Sequence, residues 1–142
     1  MVTDAVHPFH LAIPVAELDG TRAFYCDVLG LGVGREDAHW LDLDFFGHQV
    51  TLHVAVGTES LPTNEVDGKD VPVRHFGIVL PVPEWQALAD RLRSCAVDFL
   101  IEPCVRFAGE PSEQHTMFVR DPSGNVLEFK SFADRAALFR RD

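Results

Sequence analysis

Two stretches of this chain carry the same rhythm of apolar and polar positions. Phe9-His10-Leu11-Ala12-Ile13 alternates along its length. Arg74-His75-Phe76-Gly77-Ile78 repeats the pattern, again with a histidine near the start and a small residue two positions on. Alternation at a period of two marks a strand with one buried face. In the first run Phe9, Leu11, Ile13 and Val15 point one way, and His10, Ala12 and Pro14 the other. Residues 17–29 change to helical spacing. Leu18, Ala23 or Phe24, Tyr25, Val28 and Leu29 form an apolar stripe, Asp19 and Thr21 are candidate N-terminal caps, and Gly30 is a stop. Strands are predicted over 31–36, 40–46 and 49–56, with Gly47-His48 as the turn before the last. That last strand sets Val50, Leu52, Val54 and Val56 on one face and Gln49, Thr51, His53 and Ala55 on the other.

A Gly-, Pro-, Asn- and Asp-rich stretch at 57–72 reads as a linking loop. Beyond it the order repeats. The pattern predicts a strand over 75–80 and a helix over 83–94, with Pro83 in its first turn and Trp85, Leu88, Ala89 and Leu92 as its stripe. Short strands follow at 97–101, 115–120 and 125–132, with a turn at Asp121-Pro122-Ser123-Gly124 and a terminal helix within 133–141. Each half therefore reads β-α-β-β-β, an α+β arrangement of two modules in a single domain over 1–142. Module one covers about 8–56, the linker 57–72, module two about 73–132 and a tail 133–142. From the histidine to the Gly of the last turn is 37 positions in the first half (10 to 47) and 49 in the second (75 to 124). The surplus falls in a long loop at 102–114 holding Phe107 and Gly109, of the kind that shapes access to a binding site.

Composition narrows the functions open to such a fold. With 12 Lys and Arg against 22 Asp and Glu, the net charge of −10 disfavours nucleic acid and anionic membranes as partners. No basic region followed by an apolar run opens the chain, and no apolar stretch has membrane-spanning length. Cys26, Cys95 and Cys104 are odd in number and lack C-x-x-C spacing, which fits reduced thiols in a cytoplasmic protein.

Strand parity places the candidate chemistry. His10 lies opposite its strand's apolar face, His75 shares parity with Gly77 and Val79, and Glu128 shares parity with Val126 and Lys130. Each alone has a bland reading, a hydrogen-bonded strand histidine or a solvated glutamate. At repeat-related positions, two imidazoles and a carboxylate suit a divalent transition metal and leave coordination positions open, as in non-haem Fe(II) oxygen chemistry.

The same residues carry a family resemblance over about residues 8–132. Phe9-His10-Leu11, the segment Thr21 to Gly30 with Ala23-Phe24-Tyr25 and Val28-Leu29-Gly30, His75-Phe76-Gly77, and the run Phe118 to Glu128 with Asp121-Pro122 and Gly124-Asn125 resemble the vicinal oxygen chelate superfamily. That superfamily includes glyoxalase I, bleomycin-resistance proteins and type I extradiol dioxygenases. Asp44-Phe45-Phe46-Gly47-His48-Gln49 and Asn125-Val126-Leu127-Glu128-Phe129-Lys130 are most similar to its extradiol-dioxygenase-like group.

The resemblance implies paired βαβββ modules whose mixed sheets curl around a metal-binding cavity. It implies His10, His75 and Glu128 as ligands, with Fe(II) as the metal and Mn(II), Ni(II) or Zn(II) as alternatives. The fourth ligand position falls on Thr51, a poor ligand that cannot be the base a glyoxalase needs. This points to an extradiol dioxygenase that opens a catechol-like ring beside a vicinal diol. A metal-dependent isomerase or lyase and a non-catalytic small-molecule binding or resistance protein stand as alternatives. His53, on Thr51's face, is the first acid/base candidate, with His115 and His48 as rivals. Arg106, Arg120 and Lys130 are candidates for a substrate carboxylate or for surface salt bridges. The implied partners are a small-molecule substrate, an aromatic diol for example, and a second copy of the chain in a homodimer.

Overall fold

The computed structural model describes residues 6–55 and 63–141. The chain divides into two compact units, Met1–Gly57 and Thr58–Asp142.

The first unit is a four-stranded sheet with β1 (His10–Val15), β2 (Gly32–Glu36), β3 (Trp40–Phe45) and β4 (His48–Val54) in the order β1-β4-β3-β2. The β1–β4 pair is parallel and the others antiparallel, so the sheet is mixed. Leu41, Leu43, Phe45, Val50, Leu52 and Val15 are buried on the apolar face. Helix α1 (Leu18–Arg22) runs directly into a π-helical turn at Ala23–Val28. The single α-helix predicted over 17–29 is thus corrected: the wider turn brings Phe24 and Tyr25 to the core together, their rings 5.0 Å apart and edge to face. The cap is Glu17, whose carboxylate accepts from the Gly20 amide, rather than Asp19 or Thr21. Gly30 ends the segment at φ 77° as predicted. The turn before β4 is Phe46-Gly47, and His48 is the first strand residue, its Nδ1 accepting from the Phe9 amide at 2.8 Å. Val56, predicted to end the strand, lies outside the described residues.

The second unit repeats the plan. Strands β7 (Phe76–Val79), β8 (Phe99–Arg106), β9 (Gln114–Arg120) and β10 (Val126–Phe132) stand in the order β7-β10-β9-β8, with β10 parallel to β7 and antiparallel to β9. Helix α2 (Val82–Ser94) buries Trp85, Ala89 and Leu92, and the Trp85 indole donates to the Phe129 carbonyl at 2.8 Å.

Three expectations are revised here. The predicted loop at 57–72 lies outside the described residues as far as 62, but Thr63–Val66 (β5) and Lys69–Pro72 (β6) form a hairpin. Val66 and Val71 of that hairpin pack on Leu100, Ile101, Phe118 and Val126. The loop at 102–114 shrinks to 107–113, because β8 continues through Pro103 to Arg106. β8 is an edge strand with register shifts, where a proline is tolerated. The C-terminal segment holds a 3-10 turn at Arg135–Phe139 in place of a helix.

Candidate functional site

In the second unit the face of β10 opposite α2 carries Val126, Glu128 and Lys130. Glu128 is only 8 % exposed. A buried carboxylate requires partners, and this one has three. Thr116 Oγ1 of β9 donates to Oε2 at 2.6 Å, His75 Nε2 lies 3.3 Å from Oε1, and Lys130 Nζ lies 3.7 Å from the same oxygen. His75 sits one residue before β7, its Nδ1 2.8 Å from the Pro72 carbonyl at the end of the β5–β6 hairpin. A carbonyl only accepts, so that bond places a proton on Nδ1 and turns Nε2 toward Glu128, the backbone-held orientation of metal-binding imidazoles. The hairpin hidden in the predicted linker therefore orients the histidine.

Two further features set this geometry. Gly77 pairs with Glu128 in the parallel ladder, and a Cβ at Gly77 would stand 1.5 Å from the Glu128 carbonyl oxygen. The residue is small because backbone meets backbone there. The Asp121-Pro122-Ser123-Gly124-Asn125 motif is structural. Buried Asp121 accepts from the Ser123 and Asn125 amides at 2.9 and 2.8 Å and from the Asn125 side chain at 2.9 Å, fixing the turn that starts β10.

His115 lies elsewhere. It pairs across the ladder with Ser131 and so shares the α2 side of the sheet, its ring 5.1 Å from that of Trp85. The acid/base role expected of it is at odds with this placement, since odd positions of β9 and even positions of β10 face opposite ways.

In the first unit His10 is exposed at the start of β1, on the face it shares with Ala12. Thr51 and His53 share one face of β4, as strand parity predicts, with Thr51 buried and His53 exposed. The residue missed by sequence reasoning is Asp42. It lies directly across from Thr51 on β3 and is 8 % exposed. It accepts from Thr51 Oγ1 at 2.6 Å and from Gln49 Nε2 at 3.1 Å. The Thr51 hydroxyl proton is thus committed to Asp42, and the face Thr51 occupies does hold a carboxylate, delivered from the neighbouring strand. Counting outward from the Phe46-Gly47 hairpin, with Phe45 opposite His48, would have found it.

Taken together, His75 and Glu128 offer a divalent metal one imidazole nitrogen and one anchored carboxylate oxygen. Among the described residues no group of three or more His, Cys, Asp or Glu side chains is arranged to hold a metal ion, and His10 belongs to the other unit. Of the three cations singled out above, Arg106 turns to Asp67 at 3.4 Å and Arg120 to Asp98 at 3.2 Å; only Lys130 reaches Glu128.

The family profile of the Glyoxalase/Bleomycin resistance protein/Dioxygenase superfamily matches residues 7–129. The chain belongs to this superfamily. A crystal structure of a glyoxalase/bleomycin resistance protein/dioxygenase from Alicyclobacillus acidocaldarius is 33 % identical, covers 94 % of this chain and 96 % of its own, and superposes with a TM-score of 0.80. The fosfomycin resistance protein FosX from Listeria monocytogenes (11 % identity, 94 % and 99 % coverage, TM-score 0.69) shares the fold. So does a lactoylglutathione lyase from Agrobacterium tumefaciens (17 %, 92 % and 96 %, 0.61). The glyoxalase-superfamily fold, two βαβββ units with open mixed sheets, is what the sequence predicted. Among the described residues no helix is long and apolar enough to cross a membrane.

Proposed function

We propose that this superfamily member is a divalent-metal-dependent enzyme of extradiol type, opening a catechol-like ring beside a vicinal diol. His75 and Glu128 are two of its ligands, with Fe(II) as the metal and Mn(II) as its substitute. The observation that carries this reading is the placement of His75 Nε2 3.3 Å from Glu128 Oε1, with Nδ1 committed to the Pro72 carbonyl. When bound, the metal supplies a two-oxygen chelation point and an open position for O₂. The chain's own residues do the rest. Thr116 holds the Glu128 carboxylate in one orientation. His53, exposed on Thr51's face, moves a proton at its imidazole. The active form is a homodimer acting on a small molecule.

A second reading, a metal-dependent isomerase or lyase, gains support from Asp42. Thr51 itself cannot serve as the base of that chemistry, but a buried carboxylate whose oxygen lies 2.6 Å from Thr51 Oγ1 supplies the kind of base it requires. Protein purified anaerobically and reconstituted with Fe(II), then given catechols with oxygen uptake followed, tests the first reading. One iron per chain, a catechol-dependent visible band and oxygen consumption are expected, and Glu128→Ala abolishes all three. Stoichiometric metal retained in Glu128→Ala overturns the ligand assignment. Metal without catechol turnover, together with proton exchange lost in Asp42→Asn, transfers the assignment to isomerase or lyase chemistry.

A further inference from the structure

We infer that Lys130 determines specificity, receiving a carboxylate carried by a substrate that also chelates the metal. The inference rests on the metal reading of His75 and Glu128 and adds a substrate class to it: aromatic diols bearing an acid group.

Lys130 stands beside the buried carboxylate. It lies two residues from Glu128 on the same face of β10 and is the ladder partner of Thr116. Its Nζ is 3.7 Å from Glu128 Oε1, beyond the 2.7–2.9 Å typical of a charge-assisted hydrogen bond. Its side chain is 36 % exposed. It is thus a half-exposed cation loosely held by a carboxylate whose other oxygen is already committed to Thr116. The oxygen it shares with His75 is the one 3.3 Å from Nε2, hence the one a metal would claim.

Once that oxygen serves a metal, Lys130 loses its counter-charge and faces a second cation. A divalent metal, one carboxylate, neutral imidazoles and Lys130 sum to +2 (2 − 1 + 0 + 1). Such a site calls for an anionic ligand. A diol that binds as an oxyanion answers part of that charge, and a carboxylate beside the ammonium answers the rest. The chain as a whole, at −10, repels acids, so an acidic substrate needs a cation placed for it. Arg106 and Arg120 are held by Asp67 and Asp98. Lys130 is the candidate that stands at the site.

The test uses full-length protein loaded with Co(II), whose visible spectrum reports ligand binding without turnover. Catechol, 2,3-dihydroxybenzoate and 3,4-dihydroxybenzoate are titrated against wild type, Lys130→Met and Lys130→Arg. Wild type is expected to bind at least one of the acids about tenfold more tightly than catechol. Lys130→Met brings the affinities for acid and catechol together, and Lys130→Arg keeps the gap. A preference that survives in Lys130→Met, or is absent from Co(II)-loaded wild type, overturns the role of Lys130 while leaving the metal reading intact. Failure of wild type to take up Co(II) overturns both.

Discussion

The two units run the same strand order and the same mixed pairing, and each buries one carboxylate braced by a threonine. They differ in which strand supplies which partner. In the first unit the acid, Asp42, stands on β3 and the hydroxyl, Thr51, on the last strand, directly opposite. In the second the acid, Glu128, stands on the last strand and the hydroxyl, Thr116, on its neighbour, one ladder step along the diagonal. The acid–hydroxyl pair belongs to the architecture; its direction sets the chemistry. Among the described residues, only in the second unit does a histidine, held by the backbone, face the carboxylate. A buried acid alone is a structural residue with a desolvation cost to offset, and an imidazole nitrogen turned toward it makes it a ligand candidate.

The largest expected difference concerns the first strand of each unit. Ala12 pairs with Thr51 in the β1–β4 ladder, and Gly77 with Glu128 in the β7–β10 ladder. A methyl group fits at Ala12 but at Gly77 would meet the Glu128 backbone. Gly77→Ala should therefore cost about 3 kcal/mol, because strands and not side chains must part. Ala12→Gly should cost about 0.5–1 kcal/mol through backbone entropy alone. Urea denaturation of both variants checks this. Equal losses would mean that the close approach at Gly77 does not govern the β7–β10 pairing.

Next in size are the two braces. Thr51→Val and Thr116→Val each leave a buried carboxylate short of one hydrogen bond, and each should cost about 1–3 kcal/mol of stability. Metal affinity separates them. Thr116→Val should weaken binding by about tenfold or more, as loss of an outer-shell partner does, and Thr51→Val should leave it unchanged. Calorimetric titration of both variants with Co(II) reads the difference. Matching losses of affinity would make Asp42 a ligand and return the two units to symmetry.

How much of this was legible in the sequence follows from what sets each feature. Strand parity and the repeat were legible because each sheet has one apolar face, so alternation alone placed His10, Thr51, His53 and Glu128. The π-turn at Ala23–Val28 was not, since its apolar spacing resembles an α-helix until the hydrogen bonds are seen. The hairpin at Thr63–Pro72 was hidden by composition, although Asp67-Gly68 is the dipeptide of a tight hairpin turn, and both residues take positive φ (49° and 77°). His115 was misjudged for want of the register. A histidine next to strand residues of the right kind still faces the wrong way when it is one position off.

The smallest contrast lies in the thiols, one partly buried in each unit. Burial holds the Cys26 thiol above its usual range in the first unit and the Cys104 thiol above it in the second, while Cys95 is exposed. Because the folded-state pKa is raised, the stability each contributes is complete below the ordinary thiol value of about 8.5 and fades as pH climbs through the raised one. At pH 8 a disulfide reagent should therefore label Cys95 quickly and the other two slowly, with urea erasing the difference. Arg22 sits beside Cys26 and pulls its pKa back down, and Arg106 does the same for Cys104, where Asp67 opposes it. Arg106→Gln should then slow Cys104 further and leave Cys26 untouched. Equal slowing of both thiols would show that the Arg106–Asp67 pair acts beyond the second unit.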